Sequence, residues 1–140
     1  MILSQAAKYG IRAVLYLAQN DPGPLLSRDI ATALDIPAPF LARILQDLAK
    51  NNLLSSFKGR GGGFKLARPA DAIKLLDVVQ AIEGRQFGEG CVLGLGECLE
   101  TNHCPLHYKW TDIKEDILGM MREKSVKELL EEASLRSEIL

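Results

Sequence analysis

The stretch that decides the fold is residues 36–68, which reads IPAPFLARILQDLAKNNLLSSFKGRGGGFKLAR. Its first part repeats apolar residues at helical spacing: Leu41, Ile44, Leu45 and Leu48. Proline suits the first turn of such a helix, because the N–H groups there have no intrahelical partners. Two short runs, 53–57 and 64–67, then flank a turn with four glycines. The sequence therefore predicts a helix from about 39 to 50 followed by a β-hairpin.

The flanking sequence adds helices on both sides of this unit. Ser4 and Ser27 are placed to cap two helices before it, and Asp71 is placed to cap a fourth helix after it. Residues 85–107 show no periodicity and predict a loop, and a long amphipathic helix begins near residue 106. A capping-box pattern at Ser125 and Glu128 predicts a shorter last helix.

Composition and charge narrow the class of protein. The 140 residues are 47% apolar and 25% charged, which indicates a globular chain and excludes a disordered or fibrous one. No apolar run is long enough for a membrane span, and the N-terminus lacks a signal-peptide layout, so we expect a cytoplasmic protein. Residues 1–70 hold nine Lys/Arg against four Asp/Glu, whereas residues 71–140 hold eight against fourteen. A basic half joined to an acidic half suggests one face for a polyanion.

The order helix, short helix, helix, hairpin with a basic tip is typical of a winged helix-turn-helix. We expect a mostly α fold with a small β-hairpin wing, in which residues 1–84 bind DNA. The candidate contacts are four helix positions off the buried stripe and four wing positions: Ala38, Ala42, Arg43 and Gln46, with Lys58, Gly59, Arg60 and Gly61. Arg and Gln can read guanine and adenine edges, and glycines let backbone N–H groups approach phosphates. The alternative is a solvated basic face on an ordinary helical core.

The sequence gives no sign of an enzyme. The glycines of the hairpin do not fit a phosphate-binding loop of an NTPase, because no Gly-Lys-Ser/Thr sequence opens a helix after them. No Gly-x-Ser-x-Gly nucleophile elbow is present either.

Three cysteines cluster within the predicted loop, at Cys91, Cys98 and Cys104, and His107 follows them. Three thiolates and an imidazole are enough ligands for zinc or for an iron–sulfur cluster, and spacings of six and five residues fit a loop that wraps a larger group than one zinc ion. The simpler alternative is three buried or free cysteines. His107 is either a ligand or a residue that packs at the start of the long helix, and His103 is expected to be solvated.

The chain resembles the IscR/NsrR-type family of bacterial transcription regulators. The resemblance runs from Ser4 to about Leu130 and includes these segments: Tyr9-Gly10, Ile36–Leu48, Asn52–Ser56, Lys58-Gly59, Gly62–Phe64, Leu66–Arg68 and the three cysteines before a long helix. It implies a homodimer formed through the C-terminal helix, a winged helix that reads palindromic promoter DNA, and an iron–sulfur cluster that senses redox state, nitric oxide or iron supply.

The resemblance also implies a ligand set. Cys104-Pro105-Leu106-His107 keeps the Cys-x2-His spacing of IscR-like loops, which favours Cys91, Cys98, Cys104 and His107 as ligands of a 2Fe–2S cluster, with 4Fe–4S as the alternative. Residues 85–107 would then be a cluster-binding loop. Some relatives lack a cluster, so a regulator switched by thiol oxidation, by a partner protein or by a small molecule is a second possibility. A small electron-transfer or cluster-delivery protein is a third, although a basic wing has no use there.

The long helix carries an apolar stripe that we expect to form the dimer interface: Trp110, Ile113, Ile117, Met120 and Met121. The alternative is a stripe that packs within its own subunit, as amphipathic helices usually do. If the stripe forms a dimer interface, residues 106–140 are a dimerisation helix and a C-terminal tail.

Overall fold

The computed structural model describes residues 3–95 and 104–133. The elements within these ranges are α1 (Gln5–Gln19), α2 (Ser27–Leu34), α3 (Ala38–Lys50), β1 (Leu54–Phe57), β2 (Gly63–Leu66), a 3-10 turn (Ala70–Ala72), α4 (Leu75–Glu83), α5 (His107–Glu123) and α6 (Val126–Ala133). The order confirms a mostly helical chain with one small antiparallel hairpin. None of the helices in these ranges is long and apolar enough to cross a bilayer.

The hydrophobic core forms where α1, α2 and α3 meet, and α4 closes it. Leu41, Leu45 and Leu48 of α3 are fully buried, and Ile30 of α2 and Val14 of α1 pack into the same cluster. The apolar stripe of α3 is therefore buried in the core. Its opposite face is left to solvent and to binding partners.

The wing is the hairpin of β1 and β2 with its tip at residues 58–62. Leu54 pairs with Leu66 and Phe57 pairs with Gly63 in an antiparallel register. Leu25, in the connection before α2, forms an isolated antiparallel bridge to the wing, because its backbone exchanges hydrogen bonds of 3.0 and 2.8 Å with Phe64. A Cβ atom at Gly63 would collide with the backbone of Leu25, so only glycine fits there.

The helix starts agree with the sequence prediction at two of four positions. The Ser4 hydroxyl accepts the N–H of Ala7 at 3.0 Å, and the Ser125 hydroxyl accepts the N–H of Glu128 at 3.0 Å. Ser27 is not a cap: it is the first residue of α2, and the preceding Leu26 is the N-cap and makes no side-chain hydrogen bond.

Asp71 is also not a helix cap. It lies in the 3-10 turn, and α4 begins later, at Leu75. The start of α4 is fixed from outside, because Leu75 donates its N–H to the carbonyl of Lys124 at 2.9 Å. Asp77 then accepts the N–H of Lys74 at 2.9 Å, which supplies the cap that Asp71 was expected to provide.

The last helix, α6, packs into the same hydrophobic core as α1. Val126 is 2% exposed, and Leu129 and Leu130 pack against the same cluster as α1. The N–H of Val126 also donates to the carbonyl of Ile73 at 2.8 Å. Helix α6 is thus packed against the winged-helix elements.

Candidate nucleic-acid interface and metal centre

The exposed face of α3 carries the polar residues expected to read DNA. Ala38, Arg43 and Gln46 are exposed, whereas Ala42 is half-buried. Arg43 and Gln46 lie one turn apart, and neither side chain forms a hydrogen bond or ion pair with the residues that the structure describes. Both side chains are therefore available to a partner.

An open groove of about 780 Å³ lies between the start of α2, the start of α3 and the wing tip. Five of the eight predicted DNA-binding residues line it: Ala38, Ala42, Gly59, Arg60 and Gly61. Arg43, Gln46 and Lys58 are exposed but do not line it. Helix and wing thus face a common space, which the sequence order had predicted.

The groove also includes Ser27 and Arg28, which the sequence reasoning did not assign to DNA binding. Both are in the first turn of α2, where backbone N–H groups lack intrahelical partners and favour an anion. The sequence feature that could have indicated this part of the surface is a basic residue, Arg28, at the start of the second helix. Ser27 had been interpreted as a cap, and that interpretation hid its position on this surface.

The wing tip presents open backbone and unpaired charge. Gly61 has φ of +70°, and no atom lies within 4 Å of where its Cβ would be. Lys58 and Arg60 are exposed and make no ion pair within the described ranges. The Lys65 ammonium lies 5.3 Å from the centre of the Phe57 ring, so one cation of the hairpin is held against an aromatic face.

The cysteine loop is described up to Leu95 and again from Cys104. It is anchored to α5 beside Cys91, because the Trp110 indole Nε1 donates to the carbonyl of Gly90 at 3.2 Å. The N–H of Gly94 closes a turn on the carbonyl of Cys91 at 2.9 Å. These bonds fix the backbone on both sides of Cys91.

Cys91 and Cys104 are neighbours although thirteen positions separate them in the chain. Cys91 is partly exposed and Cys104 is buried. The pKa of the Cys91 thiol is lowered, chiefly because the N–H of Leu93 donates to its sulfur at 3.4 Å, with a further contribution from a hydrogen bond to the Cys104 side chain. The structure therefore brings two of the four predicted ligands together.

His107 is the first residue of α5 and is 7% exposed. Its backbone N–H donates to the carbonyl of Cys104 at 3.0 Å. Its imidazole ring packs edge-on against the Tyr108 ring, with the ring centres 5.1 Å apart. No group of three or more His, Cys, Asp or Glu side chains is arranged for a metal ion within 3–95 and 104–133. Cys98 and His103 lie outside these ranges.

The apolar stripe of α5 divides between two environments. Ile113 and Met120 are 42% and 55% exposed, while Met121 is 3% exposed and belongs to the interior of its own subunit. Trp110 and Ile117 line a cavity of about 320 Å³ with Phe87 and other residues near the cysteine loop. The exposed part of the stripe is thus centred on Ile113 and Met120.

Comparison with known proteins gives a consistent result. Residues 3–132 match the profile of a family described as Rrf2, iron-dependent transcriptional regulator. An HTH-type transcriptional regulator of Aquifex aeolicus is 33% identical over 132 residues, which are 93% of this chain and 92% of the relative. The HTH-type transcriptional regulator IscR of Klebsiella pneumoniae is 30% identical over 131 residues, 93% of this chain and 80% of the relative.

A solved structure agrees at the level of the fold. CymR, the global cysteine regulator of B. subtilis, superposes with a TM-score of 0.79 at 22% identity, covering 93% of this chain and 96% of that one.

Proposed function

This chain belongs to the Rrf2 family of transcriptional regulators, and on that basis we propose that it binds palindromic promoter DNA as a homodimer and senses redox state, nitric oxide or iron supply through an iron–sulfur cluster. It is a transcription regulator and not an enzyme.

The DNA-binding proposal rests on the groove between α2, α3 and the wing tip, together with the exposed side chains of α3 and the wing that lie beside it. Arg43 and Gln46 would read base edges in the major groove, because a helix of this kind fits that groove and both side chains can form paired hydrogen bonds. Lys58 and Arg60 would neutralise phosphates or enter the minor groove, with the N–H groups near Gly59 and Gly61 approaching the backbone. The first turn of α2, with Arg28, would hold a further phosphate.

Selection from a library of random duplexes tests this function. We expect an enriched palindromic site whose two half-sites are about one helical turn apart, since a symmetric dimer presents two recognition helices at that spacing. A non-palindromic enriched site, or no enrichment at low salt, would contradict the proposal.

The cluster is proposed on the donor chemistry of the loop. Cys91 and Cys104 are in contact, and their thiols suit iron as two of the ligands, with Cys98 and His107 completing the set of four. When bound, a cluster would supply one-electron redox chemistry and reactivity towards oxidants. The chain itself holds the loop through the Trp110 to Gly90 hydrogen bond and directs the Leu93 N–H at the Cys91 sulfur.

A second candidate function is supported by the same contact. In a protein without a cluster, the thiols of Cys91 and Cys104 would form a disulfide: each thiol loses its proton and one electron, and a peroxide takes up both electrons and protons to give two waters.

Peptide mapping after one equivalent of hydrogen peroxide separates the two candidates. The thiol switch predicts a cross-link between Cys91 and Cys104 in metal-free protein, together with altered DNA affinity that a Cys104→Ser variant does not show. If the oxidised protein contains no such cross-link, or if DNA affinity is unchanged, the thiol switch is wrong.

A further inference from the structure

A second polar cleft lies at the other end of the recognition helix. It has a volume of about 240 Å³ and is formed where the C-terminal end of α3, the base of the wing and α4 meet. Its lining residues are Asn51, Leu53, Arg68, Asp77, Gln80, Ala81 and Arg85. Asn51 is about 20 Å along α3 from Ala38, at 1.5 Å per residue, so this cleft is separate from the proposed DNA groove.

Two arginines, Arg68 and Arg85, make the lining of this cleft basic. Neither Arg68 nor Arg85 forms a hydrogen bond or an ion pair with any residue in the described ranges. Both arginines are exposed at this cleft, and an anion bound between them would be attracted by both guanidinium groups. The guanidinium group is also the side chain best matched to carboxylate and phosphate oxygens, because it presents paired N–H donors.

Of the remaining polar side chains, the Gln80 amide fits the same ligand, whereas the Asp77 carboxylate opposes it. The amide of Gln80 is half-buried and makes no hydrogen bond to the described residues, so it can donate to an anion. Asp77 contributes the one carboxylate of the lining, and that carboxylate accepts the N–H of Lys74 at the start of α4. The positive end of a helix stabilises such a charge, and the lining keeps a net positive charge.

The width of the cleft is set by the protein itself. The Asn51 side-chain amide donates to the carbonyl of Asp47 at 2.8 Å and to that of Ala81 at 3.4 Å, which ties the end of α3 to α4. The volume is below the roughly 300–1,000 Å³ of sites for drug-sized ligands. A small metabolite therefore suits it better than a large cofactor.

We propose that the cleft binds a small organic anion, whose carboxylate or phosphate group lies between Arg68 and Arg85. The ligand would join the base of the wing to the segment that leads from α4 into the cysteine loop. The regulator would thus carry a metabolite site in addition to its cysteines.

Calorimetric titration of the full-length protein tests this proposal, with citrate as the carboxylate probe and glucose 6-phosphate as the phosphate probe, each against sodium chloride of equal ionic strength. We expect saturable binding of at least one probe at one site per chain. Citrate alone would identify a carboxylate ligand and glucose 6-phosphate alone a phosphate ligand.

Substitutions locate the site. Arg68→Gln and Arg85→Gln should each weaken binding at least about tenfold, since a hydrogen bond to a charged group is lost. Arg85→Lys should retain part of the affinity, because it keeps the charge but not the paired donors. Arg122→Gln removes the same charge from an exposed position on α5 that does not line the cleft, and it should leave anion binding unchanged.

Three results would overturn the proposal. The first is no saturable binding of either probe to wild-type protein. The second is an equal loss of anion binding in Arg122→Gln, which would indicate general charge attraction. The third is weaker DNA binding with a smaller salt dependence in Arg68→Gln and Arg85→Gln, which would make this cleft a phosphate contact for DNA.

Discussion

Arg43 is the residue on which the proposed sequence readout depends most directly. It is exposed on α3, and its side chain makes no hydrogen bond or ion pair with the residues that the structure describes. Arg43→Ala should relax base preference at one position of each half-site, at a cost of about 1–3 kcal/mol there, because a bidentate contact to one base pair is lost. Binding to a panel of singly substituted operators measures this.

Arg122→Ala is the matched control for that experiment, since Arg122 is an exposed arginine on α5 that pairs with Glu115 at 3.2 Å. It should leave base preference unchanged. If Arg43→Ala and wild type show the same preference at every position, Arg43 does not read the sequence.

Single residues were predictable from the sequence where periodicity alone decides burial. Leu41 and Leu48 are buried and Gln46 is exposed because a helix of 3.6 residues per turn separates them onto opposite faces. Ala42 and Met121 are more buried than expected, because neighbouring elements cover the edges of the helical faces on which they lie. Their burial depends on tertiary packing, which no local pattern encodes.

At the level of elements, the wing tip is proposed to act through charge. Lys58→Ala and Arg60→Ala should each weaken binding to all DNA sequences and lower the slope of log affinity against log salt by about one, because one fewer counterion is released. Titrations at several salt concentrations give the slope.

Lys127→Ala removes an exposed lysine of α6 and serves as the control for the wing variants. Its slope should equal that of wild type. A wing variant with an unchanged slope would show that its cation does not contact phosphate.

The close approach of Gly63 to Leu25 makes a prediction about stability. Gly63 has φ of +128°, and a Cβ would overlap the backbone of Leu25, so Gly63→Ala should cost roughly 3 kcal/mol of unfolding free energy through backbone strain and overpacking. Gly61→Ala, at φ of +70° in open space, should cost only about 1 kcal/mol. Urea denaturation compares them, and equal losses would contradict this account of the hairpin.

The sequence predicted which helices and strands form more accurately than it predicted the residues at which they begin and end. The period change after residue 52 predicted the hairpin, and Ser4 and Ser125 cap their helices as predicted. The start of α4 could not be predicted, because it is set by a hydrogen bond to Lys124, far away in the sequence. The packing of α6 on α1 is equally non-local.

At the level of the whole molecule, the proposed dimer depends on the exposed part of α5. Ile113→Asp combined with Met120→Asp should give a folded monomer by light scattering with much weaker operator binding, because both side chains are exposed in the subunit and charge there would have to be desolvated in a dimer. Lys127→Asp adds an acid at an exposed site of α6 and should remain dimeric. A double variant that stays dimeric would place the interface elsewhere.

The general organisation of the molecule was also visible in the sequence. The basic half contains the helices and the hairpin of the winged helix, and the two described cysteines, Cys91 and Cys104, lie outside regular elements before the long helix α5. The contact of Cys91 with Cys104 agrees with a common ligand set, whereas the assignment of Cys98 and His107 stays a prediction. Ligand geometry depends on how a loop folds, and an aperiodic sequence does not determine that.

The most direct test of the central claim is the visible spectrum of anaerobically purified protein, with iron and sulfide measured on the same sample. We expect sulfur-to-iron absorption bands and equal amounts of iron and sulfide, with two of each per chain for the favoured 2Fe–2S form. Cys104→Ala should lose the bands, and His107→Ala should give a labile or shifted spectrum. Colourless wild-type protein without iron would contradict the cluster and leave the thiol switch as the explanation.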